Sequence, residues 1–354
     1  MRKLATIRKI DAILPIPNAD AIEVAVVSGW KVVVKKNEYT AGDLATYIEI
    51  DSWVPNRLAP FLSKGKEPRI YDGILGERLR TVRLRGQISQ GLLLPMSDWT
   101  DGSVEFNEGD EVTEKLGIVK WEAPIPAQLA GQIKGTFPSF IPKTDQERIQ
   151  NLKEELAYWK HNNYTFEVTE KLDGSSMTAF FMDGEFGVCS RNLELKRDEE
   201  NSFWKIAIEL DLEKIMRDMN LEYAIQGELV GEKIQRNTYK IKGQKFYIFD
   251  VYDIKNGKYL TPTQRLKYIR YLSEKNLDIE SVPIVFIDHP ITGTIDELLS
   301  YADCKSKLAP SIDQEGFVYK CNQNSNVSFK VISNNFLLKA ENSESHRPTS
   351  SENN

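Results

Sequence analysis

Short runs of alternating apolar and polar residues, each closed by turn residues, dominate the first third of this 354-residue chain. They include Ile22-Glu-Val-Ala-Val-Val27, Lys31-Val-Val-Val-Lys35, Leu44-Ala-Thr-Tyr-Ile-Glu-Ile50 and Leu79-Arg-Thr-Val-Arg-Leu84. Gly29-Trp30, Ala41-Gly42-Asp43 and the segment from Gly86 to Gly91 punctuate them. Successive strand residues point to opposite faces, so a period of two over so few residues marks short strands with one buried face. Several such strands at this spacing predict a small β-barrel over residues 1–117. Trp30 and Trp53, both near turns, are expected to fill its core.

Beyond the barrel the composition changes. Residues 118–144 hold Pro124, Pro126, Pro138 and Pro142 with Gly131 and Gly135, which predicts a linker. Its Lys134, Phe137 and Phe140 suit packing on a neighbour. Residues 145–156 read as a helix capped by Thr144 or Asp145, with Arg148 and Asn151 on one face. From residue 164 strand-like runs return, with helices expected over 260–276, capped by Thr261 or Thr263, and over 295–301. The Ser-, Asn- and Glu-rich stretch 341–354 is expected to be disordered. A chain of this length has material for two cores.

Charge and rare residues narrow the chemistry. The net charge of −6 argues against coating nucleic acid by bulk electrostatics, but leaves room for a local basic groove. No apolar run approaches the ~18 residues of a membrane span, and no secretory signal is expected. Cys189, Cys304 and Cys321 fit no Cys-x-x-Cys pattern and read as free thiols in a reducing compartment, cytoplasm or nucleus. His161, His289 and His346 are scattered, which disfavours histidine catalysis or a zinc site.

The segment richest in chemistry is Phe166-Glu-Val-Thr-Glu-Lys171 followed by Leu172-Asp173-Gly174. A β-branched run delivers a lysine, and Asp-Gly turns the chain. A lysine at the mouth of a strand-turn unit is a candidate covalent nucleophile, although Lys-x-Asp-Gly by itself is also a common solvated turn. In order there follow Ser190-Arg191-Asn192, Gln226-Gly-Glu-Leu-Val-Gly231, Phe246-Tyr-Ile-Phe-Asp-Val251, Glu315-Gly-Phe-Val-Tyr-Lys320 and Val327-Ser-Phe-Lys330. Glu228 and Glu315 each adjoin a glycine beside an apolar run, as where a strand ends against a ligand. Phe249 lies among aromatics of mixed parity, and period alone does not separate a core role from a ligand contact. A lysine amine has a reference pKa of about 10.4; nearby cations and partial burial would be needed to make it a nucleophile.

This ordered set resembles the covalent nucleotidyltransferases, the superfamily of polynucleotide ligases and mRNA capping enzymes. The resemblance implies an α+β architecture: an OB-like β-barrel, then over residues 145–340 a nucleotidyltransferase domain, an ATP-grasp-like ligase core of antiparallel sheets flanked by helices. It implies that Lys171 becomes adenylated, with Lys330 and Glu228 as further catalytic groups. It implies nucleotide contacts from Glu170, Lys171, Arg191, Glu228, Glu315, Lys330 and Arg148, with Phe249 stacked on the base and Asp250 beside it. Asp173, Glu228 and Glu315 are the metal-holding acids it implies, for Mg²⁺ or Mn²⁺ held partly through waters. Relatives often carry a second lysine where Ile332 stands here, and Lys320 or Lys339 are the cations available to replace it.

A barrel placed before the ligase core resembles the fifth, nick-sealing family of RNA ligases. Capping enzymes and most DNA ligases carry their OB domain after the last motif, where here only a polar tail follows. The implied activity is ATP-dependent sealing of 3′-OH/5′-phosphate nicks through lysyl-AMP, with RNA at the 3′-OH end. The implied partner is nicked RNA or an RNA-containing duplex, with no membrane and no obligate protein partner. Arg78, Arg80, Arg83 and Arg85, crowded into one barrel segment, then suit a phosphate track. Two alternatives stay open: a non-catalytic tRNA- or RNA-binding protein with a degenerate ligase-like domain, and a capping-type guanylyltransferase.

Overall fold

The computed structural model describes residues 3–122 and 131–344, the last five by backbone alone. It divides into two compact units, residues 1–124 with 337–354, and residues 125–336.

The first unit is built from short antiparallel strands, as the alternation predicts. Ala5–Lys9 and Leu92–Leu94 flank Leu44–Ile48, and Ala12–Pro15, Ile22–Val27 and Trp30–Lys35 form a meander. A further sheet runs Val119–Lys120, Ser52–Pro55, Ile74–Arg78, Arg69–Tyr71. Trp30 and Trp53 are fully buried, and Trp53 Nε1 donates to Ile74 O at 3.0 Å, so both belong to the core.

The arginine segment of this unit is not a uniform track. Arg78 pairs with Asp51 at 2.7 Å and lies over the Trp121 ring at 3.8 Å. It is a structural residue, and Arg80 is only half-exposed. Arg83 and Arg85 are exposed on the hairpin of Val82–Leu84 and Gln87–Ser89, so the basic surface narrows to that hairpin.

The second unit holds two sheets. The larger, eight-stranded sheet runs Ile133–Thr136, Leu193–Leu195, Glu185–Cys189, Ser175–Met182, Tyr223–Gly231, Gln244–Asp253, Lys258–Tyr259, with Glu280–Ser281 pairing Gln244–Asp253. The five-stranded sheet runs Glu147–Arg148, Ser328–Ile332, Gly316–Cys321, Thr165–Lys171, Ile284–Pro290. Alternate residues of the larger sheet, Met177, Ala179, Ile225, Leu229, Phe246 and Ile248, enter one core with the helices Ser202–Glu209, Leu212–Met219 and Pro262–Lys275. Phe166, Val168, Phe317, Tyr319, Phe329 and Val331 of the smaller sheet enter another with Lys153–His161 and Ile295–Ala302.

The helix ends follow the sequence. Thr261 and Thr294 close capping boxes with Gln264 and Glu297, and Pro262 occupies a first-turn position where its missing N–H costs nothing. Asn201 caps Ser202–Glu209 by accepting from Phe203 N and Trp204 N. The next helix carries Leu212, Ile215 and Met216 buried at helical spacing, a signal present in the sequence.

Three expectations are corrected. Residues 145–156 are not one helix: Glu147–Arg148 is a strand, Ile149–Asn151 a 3₁₀ turn, and the helix is Lys153–His161. The polar residues read as a cap are drawn elsewhere, Thr144 Oγ1 to Ser176 Oγ at 2.9 Å and Asp145 to Lys330 at 3.0 Å. Glu147–Arg148 instead pairs in parallel with Ser328–Ile332. The segment 118–144 is not merely a linker, since Val119–Lys120 and Ile133–Thr136 each join a sheet; Pro124 and Pro126 lie outside the described residues. Residues 341–344 continue the helix Asn334–Glu344, and the rest of the expected disordered stretch lies outside the described residues.

Candidate active site

Strand parity defines the site. In Thr165–Lys171, Phe166 and Val168 enter the apolar core, so Glu167, Thr169 and Lys171 share the opposite face. Gly316, Val318 and Lys320 of the neighbouring strand take that face too, as do Lys330 and Ile332 of the next; Lys330 lies opposite Val318. In the larger sheet Gln226 and Glu228 alternate with core residues Ile225 and Leu229. The smaller sheet thus contributes Lys171 and Lys330, and the larger sheet Glu228.

Lys171 is the last residue of its strand and pairs in register with Gly316. Its Nζ lies 2.8 Å from Glu315 Oε1. The following turn folds against Tyr223–Gly231, where Gly174 N donates to Glu228 Oε1 at 3.0 Å. Gly174 is required there: a Cβ would stand 2.3 Å from Leu229 O. Gly316 is required as well, with φ +153° and a would-be Cβ 2.1 Å from Val331 O. These two close approaches bring Lys171, Asp173, Glu228 and Glu315 to one place from three chain segments.

The electrostatics are those of one cation among three acids. Burial pulls the Lys171 amine down, but Glu315, Glu228 and Asp173 outweigh it and hold the amine above its ordinary value. Burial, with Glu315 and Asp173 opposing Lys171 and the Gly174 amide, pushes Glu228 up to about 8. Burial and Glu315 push Asp173 to about 6, against Lys171, Thr238 and Arg236. The excess of oxygen-donor acids fits a hard divalent cation such as Mg²⁺ or Mn²⁺. Among the described residues, however, no three such side chains form a ready-made cage. Asp173, Glu228 and Glu315 are the oxygen donors beside Lys171 that such an ion would meet.

A stability profile follows from these shifts. An unfolded glutamate ionises near about 4.3, whereas folded Glu228 keeps its proton to about 8. Between those values the folded protein binds more protons, so stability falls as pH rises. In chelator the melting temperature is expected to drop from pH 5 to pH 8, and Glu228→Gln to flatten that slope. A wild-type profile independent of pH would show that the carboxylates are not forced together.

The other candidates separate by face. Lys330 Nζ lies 3.0 Å from Asp145 Oδ1, and Arg191 Nη2 lies 3.7 Å from Asp145 Oδ2. Arg148 is buried and in register with Lys330, so those two cations lie side by side. Glu170, expected at the nucleotide, has the opposite parity to Lys171; its Oε2 accepts from Lys307 N and Leu308 N at 2.8 and 3.2 Å. It braces a loop behind the sheet. Phe249 is the extra residue of a bulge, since Gln226 pairs with Asp250 and Gly227 with Ile248. The bulge leaves Phe249 half-buried, with Lys320 Nζ 5.6 Å from its ring centre. Lys320 is committed to Asp250 at 2.6 Å and to the Phe249 carbonyl. Its burial, opposed by Asp250, lowers its amine to about 8.

Sequence reasoning missed Asp145 as a partner of Lys330 and Arg191. It also missed Tyr239, whose hydroxyl accepts from Asp173 N at 2.7 Å, and Thr238, which donates to Asp173 Oδ2 at 3.3 Å. No local pattern marks either residue.

A family model described as RNA ligase matches residues 164–332, and one described as an OB-fold domain matches residues 4–96. Among solved structures, an apo mutant of Naegleria gruberi RNA ligase is similar with a TM-score of 0.89 and 45% identity, over 96% of this chain and 99% of that one. The same organism's RNA ligase with PPi gives a TM-score of 0.89 at 45% identity, over 97% and 100%. A mutant of it with ATP and Mn gives 0.87 at 45%, over 98% and 99%. Among curated proteins none matches. No helix among the described residues is long and apolar enough to cross a membrane.

Proposed function

Because this chain belongs to the RNA ligase family, with an OB-fold domain ahead of the ligase core, we propose that it seals 3′-OH/5′-phosphate nicks in RNA-containing duplexes using ATP. The observation that carries this reading is Lys171 at a strand mouth, 2.8 Å from Glu315 and in the charge field of Glu228 and Asp173.

The amine of Lys171, once it has lost a proton, attacks the α-phosphorus of ATP. The bond to the β-phosphate oxygen breaks, and pyrophosphate leaves. The resulting lysyl-AMP is attacked by a 5′-phosphate oxygen of the broken strand, which frees Lys171 and forms an adenylated end. The 3′-hydroxyl of the other strand then attacks that end's phosphorus, and AMP leaves. Dividing the reaction this way replaces one hard step by easier ones.

Each residue's part follows from its place. Lys330 and Arg148, side by side, face the phosphates, and Arg191 stands at the rim. Lys320 is held by Asp250 and does not replace the absent second lysine; the register offers Arg148 for that role. Phe249, pushed out by its bulge, offers a ring to adenine. Glu228, with one oxygen on Gly174 N, keeps the other for the nucleotide. Relatives with ATP, AMP and Mn support the same ligands here. Asp173, Glu228 and Glu315 would hold the divalent ion, which when bound offsets their charge, favours the neutral Lys171 amine and neutralises phosphate oxygens.

ATP labelled at its α-phosphate, with Mg²⁺ or Mn²⁺, is expected to leave on the protein a label that survives denaturation and alkali but is lost in acid, as a phosphoramidate is. That label should chase onto the 5′-phosphate of a nicked duplex and be released as AMP on sealing, provided the 3′-OH nucleotide is RNA. Label from GTP instead would make the protein a capping-type guanylyltransferase. No covalent label from either would make it a binding module.

A further inference from the structure

The loop of residues 232–243, between Tyr223–Gly231 and Gln244–Asp253, carries Lys233, Arg236, Lys240 and Lys242, all exposed, against a single acid, Glu232. That is a local charge of 4 − 1 = +3 on a chain whose net charge is −6. Lys233, Lys240 and Lys242 take part in no ion pair among the described residues, unlike Lys320 and Lys330.

The loop is a built element. Ile234 is buried in the main core of its unit, and Tyr239 packs with Leu172 and Tyr247. Asn237 closes it internally, accepting from Ile241 N at 3.0 Å and donating to Ile241 O at 2.9 Å. Glu232 N donates to Gly243 O at 2.7 Å across its base. Lys233, Gln235, Asn237 and Lys240 adopt left-handed backbone, which packs the turns tightly. Its far side grips the catalytic turn through Tyr239 and Thr238 on Asp173. Three exposed lysines without an ion pair among the described residues therefore belong to the same loop that holds Asp173 through Thr238 and Tyr239.

We propose that this loop is the ligase core's own contact with the polynucleotide, binding backbone phosphates next to the break. The inference rests on the RNA-ligase reading and adds a surface to it. A nucleotide's phosphates are already matched by Lys330, Arg148 and Arg191 in the pocket. Exposed lysines outside that pocket suit a polyanion that continues into solvent. Such contacts release counterions, so binding weakens with salt in proportion to the phosphates neutralised.

The test uses the full chain with Lys233→Gln, Lys240→Gln and Lys242→Gln combined; Arg236 is left in place because its charge acts on Asp173. Labelling by ATP should stay within about twofold of wild type, since the pocket is untouched. Sealing of a pre-adenylated nicked RNA duplex should fall at least about tenfold, and the salt dependence of duplex binding should flatten by about 0.9 for each phosphate no longer neutralised. The matching triple lysine-to-arginine variant should retain sealing. Unchanged sealing and salt slope in the glutamine variant would overturn the proposal. Labelling that falls in step with sealing would overturn it too, and move the loop to the ATP polyphosphate. Wild type assayed alongside separates the two readings. A wild type that takes AMP but seals nothing defeats the nick-sealing reading, while the salt slope of duplex binding still decides the loop.

Discussion

Lys171→Ala is expected to lower covalent AMP uptake by about 10⁴-fold or more, to the limit of detection. The two nearest candidate amines among the site lysines are committed elsewhere. Lys320 is tied to Asp250, and Lys330 is paired with Asp145. Lys171→Arg should fail equally, because a guanidinium does not lose its proton in this range. The same variant carries a second signature. Lys171 is the cation among Glu315, Glu228 and Asp173. Without it, rising pH forces those acids to ionise against one another. In chelator, Lys171→Ala should therefore melt below wild type at pH 8, and near it at pH 5.5, where Glu228 and Asp173 hold protons. Wild-type adenylation should rise with pH, since the acids hold the amine above its ordinary value and its proton must leave. Persistent labelling of the alanine variant would remove Lys171 from the chemistry.

What the sequence revealed, and what it hid, follows from how far each interaction reaches along the chain. Lys171, Glu228 and Glu315 were legible as a group because each lies in an apolar run with a glycine close by, a local pattern, although Gly227 and Glu228 stand inside the strand Tyr223–Gly231 and not at its end. Phe249 was legible as an aromatic but not as a bulge, because the bulge depends on the register against Gln226 and Gly227. Glu170 parts from Lys171 for the simplest reason: adjacent strand residues face opposite ways, so a neighbour of Lys171 need not share its surroundings. Asp145 and Arg148 were misread as helix because Thr-Asp followed by acids has the composition of a helix start. Their true partner is Ser328–Ile332, with Asp145 separated from Lys330 by 185 positions. Arg78 looked like a phosphate ligand until Asp51 and Trp121 appeared beside it. Clustered charge does not say which charges are already satisfied.

Arg265→Met is expected to cost roughly 3–5 kcal/mol of stability, the range for breaking a buried pair and stranding its partner. Arg265 Nη2 lies 2.6 and 2.7 Å from the two oxygens of Glu167, and both side chains are 0% exposed. The pair ties the helix Pro262–Lys275, which packs on the larger sheet, to the strand Thr165–Lys171 of the smaller one. Arg265 Nε and Nη1 have no hydrogen-bond partner among the described residues, so the guanidinium's desolvation is only partly offset. Removing both charges together, as Glu167→Leu with Arg265→Met, should therefore recover most of the loss. The double variant then exposes a functional side to the pair. Glu167 lies in register with Lys320, whose charge balance depends on Asp250, Arg265 and Glu167 after burial. Lys320 in turn holds the carbonyl of Phe249 and lies near its ring. With the buried pair gone, Phe249 loses a distant support, so the double variant should fold near normally yet need several-fold more ATP for labelling. Recovered folding with unchanged ATP dependence would confine the pair to stability. A double variant as unstable as Arg265→Met alone would mean that shape at that position, not stranded charge, sets the cost.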